Sequence, residues 1–337
     1  MGGQLTGLRL PSSLKSIFRL ISPVLATGLI IFLILYFRPS EKSFYFHVKK
    51  GESLYSVAER LKKLGVIKDV KGFVVLSKVL GKEKKIKPGW YYLNTGMEPV
   101  KILNKLGRGE RVRVKVTIPE GLTIEQTASI LQERAKIDSS IFVSLCCDSS
   151  LIKKFGIEGN SIEGYLFPTT YYIPLGEEPA VVIRDMVKTF FKKITPYIPD
   201  IQSRGRTLRE IVIIASMIEK EALLDREKPI IASVIYNRLK KGMRLQIDAT
   251  VQYALGEHQE RVLFSHLKVN SPYNTYRIKG LPPGPICSPG MKSLEAAIYP
   301  AKTDYFYYVA KGDGSHIFSK TFAQHMRAKR MVRRKGG

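Results

Sequence analysis

The chain has 337 residues, 44% of them apolar, which leaves room for two domains, or one with a small accessory module, and for a core of ordinary size. Its 55 Lys and Arg against 29 Asp and Glu give a formal charge of +26, a field that calls for an anionic environment: lipid head groups, an acidic polymer or nucleic acid. No nucleic-acid fold signature accompanies the basic residues, so nucleic acid is not an expected partner, and Cys146, Cys147 and Cys287 offer neither metal-ligand spacing nor a disulfide framework.

In chain order, residues 1–19 read as a short cytoplasmic arm carrying Arg9, Lys15 and Arg19. Residues 20–37 form an uncharged apolar run just long enough to cross a bilayer, closed by Arg38. The run is long for the apolar part of a cleaved signal peptide, and no small-residue cleavage pattern follows it. The expectation is a single N-terminal transmembrane signal anchor with the rest of the chain outside. Lys42, Lys49 and Lys50 beyond the run are partly offset by Glu41 and Glu52, so the charge bias that orients it is modest.

Residues 43–112 read as a small subdomain. A strand over 44–48 is followed by Gly51-Glu52-Ser53, which opens a helix with Leu54, Val57, Ala58 and Leu61 on one face. A second helix spans 70–80, then come the turn Lys87-Pro88-Gly89, a strand over 90–93 and a third helix over 99–106. This order, with its Gly-x-Ser opening, resembles a LysM-like wall-binding module.

Residues 113–330 read as a larger mixed α/β domain, making the chain α+β as a whole, and 331–337 as a basic tail. A strand over 113–118 and the turn Pro119-Glu120-Gly121 lead to a helix capped by Thr123. Glu163-Gly164-Tyr165-Leu166-Phe167-Pro168 is a glycine turn flanked by aromatics, joined by Tyr171 and Tyr172. The next assigned helix begins with a capping box, Thr207 and Glu210, and continues through a run, 211–218, that is apolar on every face but for Ser216. It ends Glu219-Lys220-Glu221. On a helix Glu221 stacks over Ile218, Met217 and Ile214, while Glu219 falls nearly opposite, so the two carboxylates do not face each other. A carboxyl held among apolar side chains has its charged form disfavoured, which suits Glu221 to proton donation near neutral pH.

Beyond it, a helix over 230–239 carries Asn237 and Arg238 in its last turn and stops at Gly242. Gln246, Asp248 and Thr250 fall on one face if 243–250 is extended, and Asp248 or Thr250 can cap the helix that follows. Two loops rich in Pro, Gly, Asn and Tyr come next, Asn270 to Tyr276 and Gly280 to Ile286; loops fixed in this way shape binding clefts. A helix over 293–297, strands over 305–310 and around 316–318, and a final helix with Phe322 and His325 close the chain. His316 reads as a packing or turn residue.

Taken together and in order, I-E-K-E-A from Ile218, V-I-Y-N-R-L from Val234, G-M-x-L-Q-x-D-x-T-V-Q-Y-A-L-G from Gly242, S-P-Y-N-T-Y from Ser271 and G-L-P-P-G-P-I from Gly280 resemble the endolytic murein transglycosylases of the YceG-like (MltG) family over about residues 44–325. The resemblance implies a membrane anchor, a LysM-like subdomain and an outward-facing catalytic domain at the cytoplasmic (inner) membrane. It implies cleavage of the MurNAc-β-1,4-GlcNAc bond inside nascent peptidoglycan strands to leave a 1,6-anhydroMurNAc end, with no cofactor and no metal. The family's catalytic glutamate falls on Glu221, with Glu219 the second candidate. Candidates for holding the glycan are Asn237, Gln246, Asp248, Thr250, Tyr273, Asn274, Tyr276 and Glu163. Peptidoglycan, inner-membrane lipids and peptidoglycan synthases are the expected partners. The chain departs from the family's usual G-Y-L-F-P-D-T-Y in having Thr169 after Pro168. A muramidase using water, with Asp248 as second carboxylate, and a wall-binding scaffold without catalysis remain open readings.

Overall fold

The computed structural model describes residues 27–28, 42–256 and 263–335. The expected anchor thus lies outside the described residues apart from Thr27 and Gly28; among the described residues no helix is long and apolar enough to cross a membrane. The chain divides into two compact units: the smaller takes 51–86 and 92–108 with the residues up to 46, and the larger takes 109–337 with 47–50 and 87–91.

The helices of the smaller unit are α1 (Leu54–Lys63), α2 (Val70–Val79) and α3 (Pro99–Arg108); the strands β1 (Ser43–Val48) and β2 (Gly89–Asn94), only parts of which fall in that unit, pair as a two-stranded sheet. Helix α1 starts where the Ser53 side chain accepts a hydrogen bond from the Ser56 N–H, and α2 where Asp69 accepts from Lys71 and Gly72. Spacing of three and four residues turns Val57, Ala58 and Leu61 of α1, and Ile102, Leu103 and Leu106 of α3, into a buried stripe.

The larger unit opens with β3 (Arg113–Thr117), antiparallel to β4 (Thr170–Pro174) with Val116 opposite Tyr171. Between them lie α4 (Ile124–Ala135), α5 (Ser139–Cys146) and α6 (Ser149–Lys154). Then come α7 (Pro179–Ile194), α8 (Ile198–Ser203), α9 (Leu208–Glu221), α10 (Lys228–Lys240), α11 (Asp248–Leu255) and α12 (Met291–Ile298). The hairpin β5 (Tyr307–Ala310) and β6 (His316–Ser319) and helix α13 (Phe322–Lys335) complete it. The protein is a mixed α/β structure of helices and small sheets.

Helix α9 is the axis of this unit. Its capping box forms as the sequence indicates: the Thr207 hydroxyl accepts from Glu210 N–H, and Glu210 Oε2 accepts from Thr207 N–H at 2.9 Å. All eight residues from Ile211 to Ile218 are buried, against α12, α10 and α11. Each buried Ile contributes about 2 kcal/mol by area, and truncating one such as Ile214 to Ala costs about 3 kcal/mol once the cavity is counted. The polar member of the run is tied down: the Ser216 hydroxyl donates to Ile213 O at 2.8 Å and accepts from Ile286 N–H at 3.1 Å. That bond anchors the Pro-Gly loop to the helix. The glycine turn is anchored as well, since Gly164 has φ +84° and a Cβ there would stand 2.6 Å from Pro285 and 2.8 Å from Val212.

Two expectations change. Four helices, α5 to α8, fill a stretch between Ser139 and Ser203 to which the sequence reading assigned no element. The segment before α11 is not a strand: Gln246 has φ +52°, which breaks the alternation, and the helix begins at Asp248 without a side-chain cap. The final helix runs through the basic residues to Lys335.

Candidate active site

Glu221 is the last residue of α9. Ala222 leaves helical geometry for extended backbone (φ −103°, ψ 115°), so the helix releases the chain directly after the carboxyl. The side chain is only partly accessible. Tyr308 of β5 donates its hydroxyl to Glu221 Oε2 at 2.9 Å, and the backbone N–H of Ala249 in the first turn of α11 adds a favourable influence on the charged carboxylate. No lysine or arginine forms an ion pair with Glu221 among the described residues. Burial is the largest influence on its proton and raises the carboxyl to about 7. Asp248 pushes the same way by like charge, while the Tyr308 and Ala249 hydrogen bonds and His316 oppose. A carboxyl at that value is substantially protonated at neutral pH and can still ionise, which is what a group serving as acid and then base requires.

The surroundings of Glu221 come from four separate parts of the chain. Asp248, at the start of α11, accepts a short hydrogen bond from the Tyr276 hydroxyl, whose own ionisation is pushed up by burial and by that bond. His316 of β6 meets Tyr308 edge-on, with ring centroids 5.4 Å apart at 87°. Its Nδ1 lies 2.7 Å from Glu227 Oε2, and its backbone N–H donates to Glu227 Oε1 at 3.2 Å. Arg238 of α10 is buried and spends its guanidinium on main-chain carbonyls, Nε to Phe306 O at 2.6 Å and Nη1 to Leu245 O at 2.6 Å. Among the described residues it has no carboxylate partner at ion-pair distance, and burial depresses its ionisation while Tyr308, Tyr307, Tyr276 and Glu221 support its charge. Two tyrosine-carboxylate pairs, Tyr308 with Glu221 and Tyr276 with Asp248, therefore sit within electrostatic reach of one buried cation.

Glu219 has the opposite fate. Its Oε1 lies 3.5 Å from Lys228 Nζ, and its Oε2 accepts the Gly290 N–H at 2.8 Å. Lys228 also meets Asp225 at 3.1 Å. The second candidate is thus committed to an ion pair on another face of the helix, as the spacing of the two glutamates implies.

Of the remaining sequence candidates, Asp248 and Tyr276 are brought beside Glu221 and several others are not available to a ligand. Glu163 is 1% exposed and accepts the N–H groups of Ile124 and Gly164, an internal cap for α4; burial raises it to about 8. Thr250 is fully buried, with its hydroxyl donating to Ile247 O at 2.7 Å and lying 2.9 Å from the Thr275 hydroxyl. Asn274 is also fully buried and donates through Nδ2 to Leu267 O and Val269 O. Asn237 donates to Thr303 O and Tyr305 O, holding the approach to β5. Tyr273 packs on Tyr253 with ring centroids 4.9 Å apart. These residues build the walls. Gln246 is exposed next to Asp248, and its backbone N–H donates to Thr275 O at 3.2 Å.

Sequence reasoning missed Tyr308, Arg238 and Glu227 as members of the site and assigned His316 to packing. The available signal was indirect: a histidine and a tyrosine on successive strands of one hairpin, and an arginine in an otherwise apolar helix. A cavity of about 430 Å³ next to the site is lined by residues including Gln126, Lys220, Ala249, Gln252 and Tyr253. A slightly larger one, about 490 Å³, is lined by residues including Arg204, Arg206, Tyr236 and Lys240, with no carboxyl among them, so its size does not make it the seat of acid-base chemistry. Among the described residues no group of three or more His, Cys, Asp and Glu could hold a metal ion, and the three cysteines are free.

A helix-end carboxyl with a raised proton affinity, flanked by tyrosines and one further carboxylate, defines a site of the acid-base class. The chain belongs to the YceG-like family, whose profile matches residues 46–331. It is 35% identical over 87% of its length to the endolytic murein transglycosylase of Bacillus subtilis, covering 85% of that protein. It is 29% identical over 78% of its length to the endolytic murein transglycosylase of Streptococcus pneumoniae, of which it spans about half (53%). Among solved structures, a yceG-like protein from Listeria monocytogenes matches with a TM-score of 0.60 and 35% identity, covering 86% of this chain and 99% of that one.

Proposed function

We propose that this protein is an endolytic peptidoglycan lytic transglycosylase that cleaves the MurNAc-β-1,4-GlcNAc bond within nascent strands, ends their elongation and leaves 1,6-anhydroMurNAc termini. The observation that carries the reading is the state of Glu221: partly accessible, without a cationic partner, and raised by burial to about 7. Protonated Glu221 gives its proton to the glycosidic oxygen as the bond to the muramoyl anomeric carbon breaks. The resulting carboxylate takes the proton of the muramoyl 6-hydroxyl, whose oxygen closes on that carbon. The proton is returned, Glu221 is regenerated and no water is consumed. Asp248, held by Tyr276, supplies negative charge near the oxocarbenium-like transition state, and exposed Gln246 is placed to contact the sugar.

A muramidase would need a second carboxylate to activate water, and Asp248 is the group positioned for it. Digestion of purified glycan in water enriched in oxygen-18 separates the two. Transglycosylation yields anhydro ends without the label; reducing muramic acid ends carrying the label would establish hydrolysis instead. A scaffold would change no strand length at all.

The same reading extends to placement. The apolar run 20–37 supports a single-pass anchor in the cytoplasmic (inner) membrane with the larger unit on the extracytoplasmic side, and the +26 charge suits anionic lipid and peptidoglycan. The pair of strands and the helices α1 to α3 support a LysM-like role for the smaller unit. Peptidoglycan synthases, which make the nascent strand, are the proposed protein partners. Protease added to intact spheroplasts should digest the larger unit; protection of it would reverse the orientation.

A further inference from the structure

Tyr308 reaches Glu221 from a part of the chain far from α9 in sequence, and the route by which it is held is short. In the hairpin, Tyr308 lies opposite Phe318 and Ala310 opposite His316. The His316 ring stands edge-on to Tyr308, and both its Nδ1 and its backbone N–H engage Glu227. Glu227 belongs to the 3-10 turn Asp225–Glu227 that follows α9 closely. The segment leaving Glu221 thus clamps the hairpin that returns a hydroxyl to it.

We propose that Tyr308 is a positioning residue, held by the Glu227-His316 clamp, that keeps the transferable proton on Oε1 of Glu221 and stabilises the carboxylate formed when that proton leaves. The inference rests on Glu221 being the acid and base, and gives that site a part not contained in the reading above. Burial and the neighbouring carboxylate push the Tyr308 hydroxyl well above its usual range, so it remains a donor. A hydroxyl that donates to Oε2 makes that oxygen the acceptor and leaves the other to carry the proton. Once Glu221 ionises, the same bond becomes charge-assisted and stronger, so it acts at the second half of the reaction. The groups facing Glu221 divide by element: from α11, the Asp248 charge opposes ionisation and the Ala249 N–H favours it; from β6, His316 favours it; from α10, Arg238 favours it. Tyr276 stands behind Asp248.

The test uses the full chain in detergent micelles and carboxyl-labelled glutamate, with the Glu221 resonance assigned by its loss in Glu221→Gln. Tyr308→Phe removes a donor to the carboxylate, so the titration midpoint of Glu221 should rise by about one unit. The alkaline limb of kcat/KM should move up with it, and kcat at the optimum should fall about tenfold. His316→Phe keeps a ring beside Tyr308 but cuts the bond to Glu227, and should raise the midpoint by a smaller amount. A purely structural role would lower the melting temperature and leave midpoint and limb in place, and that result overturns the proposal. The midpoint is read without turnover, so it decides the role of Tyr308 even if the glycan products contradict the transglycosylase reading.

Discussion

Glu219 and Glu221 lie two residues apart on one helix and have opposite electrostatic lives. Glu219 meets Lys228 at 3.5 Å and a backbone N–H at 2.8 Å; Glu221 meets a tyrosine hydroxyl at 2.9 Å and, among the described residues, no ion-pair partner. Both stand at the end of the same buried helix. What separates them is where the fold puts its cations. Lys228 is turned to Glu219, while Arg238, the buried cation within electrostatic reach of Glu221, is spent on the carbonyls of Phe306 and Leu245. Burial with the counter-charge withheld makes Glu221 an acid, and the helical spacing of the two glutamates lets one end of α9 hold both arrangements.

The comparison is broken most sharply by exchanging each carboxyl for its amide. Glu221→Gln should reduce the release of anhydro-ended fragments by about 10²- to 10⁴-fold, the usual worth of acid-base catalysis, with an unchanged fold by circular dichroism. Glu219→Gln should keep most of that activity. It should instead destabilise the protein by about 3 kcal/mol in denaturant, because Lys228 stays buried with only Asp225 as partner. If the two variants change places in these assays, the assignment of the site fails.

A third buried carboxyl sharpens the point through pH. Glu163, raised to about 8, and Glu221, raised to about 7, both bind their protons more tightly in the folded chain than in the unfolded one. Their contribution to stability is complete below the unfolded value near 4.5 and is lost as pH rises through 7 and 8. The unfolding free energy should decline across that window, by up to a few kcal/mol from Glu163. Glu163→Gln should flatten the decline while leaving the pH dependence of catalysis where it was; a moved catalytic profile would place Glu163 in the reaction. The smallest effect is expected at Asp248. Asp248→Asn removes a like charge from beside Glu221, so the alkaline limb of activity should shift down by less than about one unit.

Much of this was legible in the chain. The capping box at Thr207 and Glu210, the apolar run behind it and the spacing of the two glutamates follow from local rules, and the structure keeps all three. Asp248 and Tyr276 could be nominated because each is polar in a segment with loop chemistry. Tyr308, His316, Glu227 and Arg238 could not be placed by such rules, since their meaning comes from a hairpin closing on a helix end across a long separation in sequence. The opposite error has a physical cause as well. Glu163, Thr250 and Asn274 have the chemistry of ligand-binding side chains, but each is used to satisfy backbone groups in tight, fixed loops, a demand that a one-dimensional pattern does not reveal. Helices α5 to α7 carry local signals that were open to the same rules: Asp138 and Asp148 cap α5 and α6, and Pro179 stands at the start of α7.

The central claim is that Glu221 is kept protonated near neutrality by burial without a cation. Carboxyl NMR of the wild-type chain, with the resonance identified by its absence in Glu221→Gln, tests it directly. The account predicts a titration midpoint at about 7, with Glu221 as the site of that transition. A midpoint near the ordinary 4.5 would mean that Glu221 is ionised at neutral pH, and the proton for the glycosidic oxygen would have to come from elsewhere.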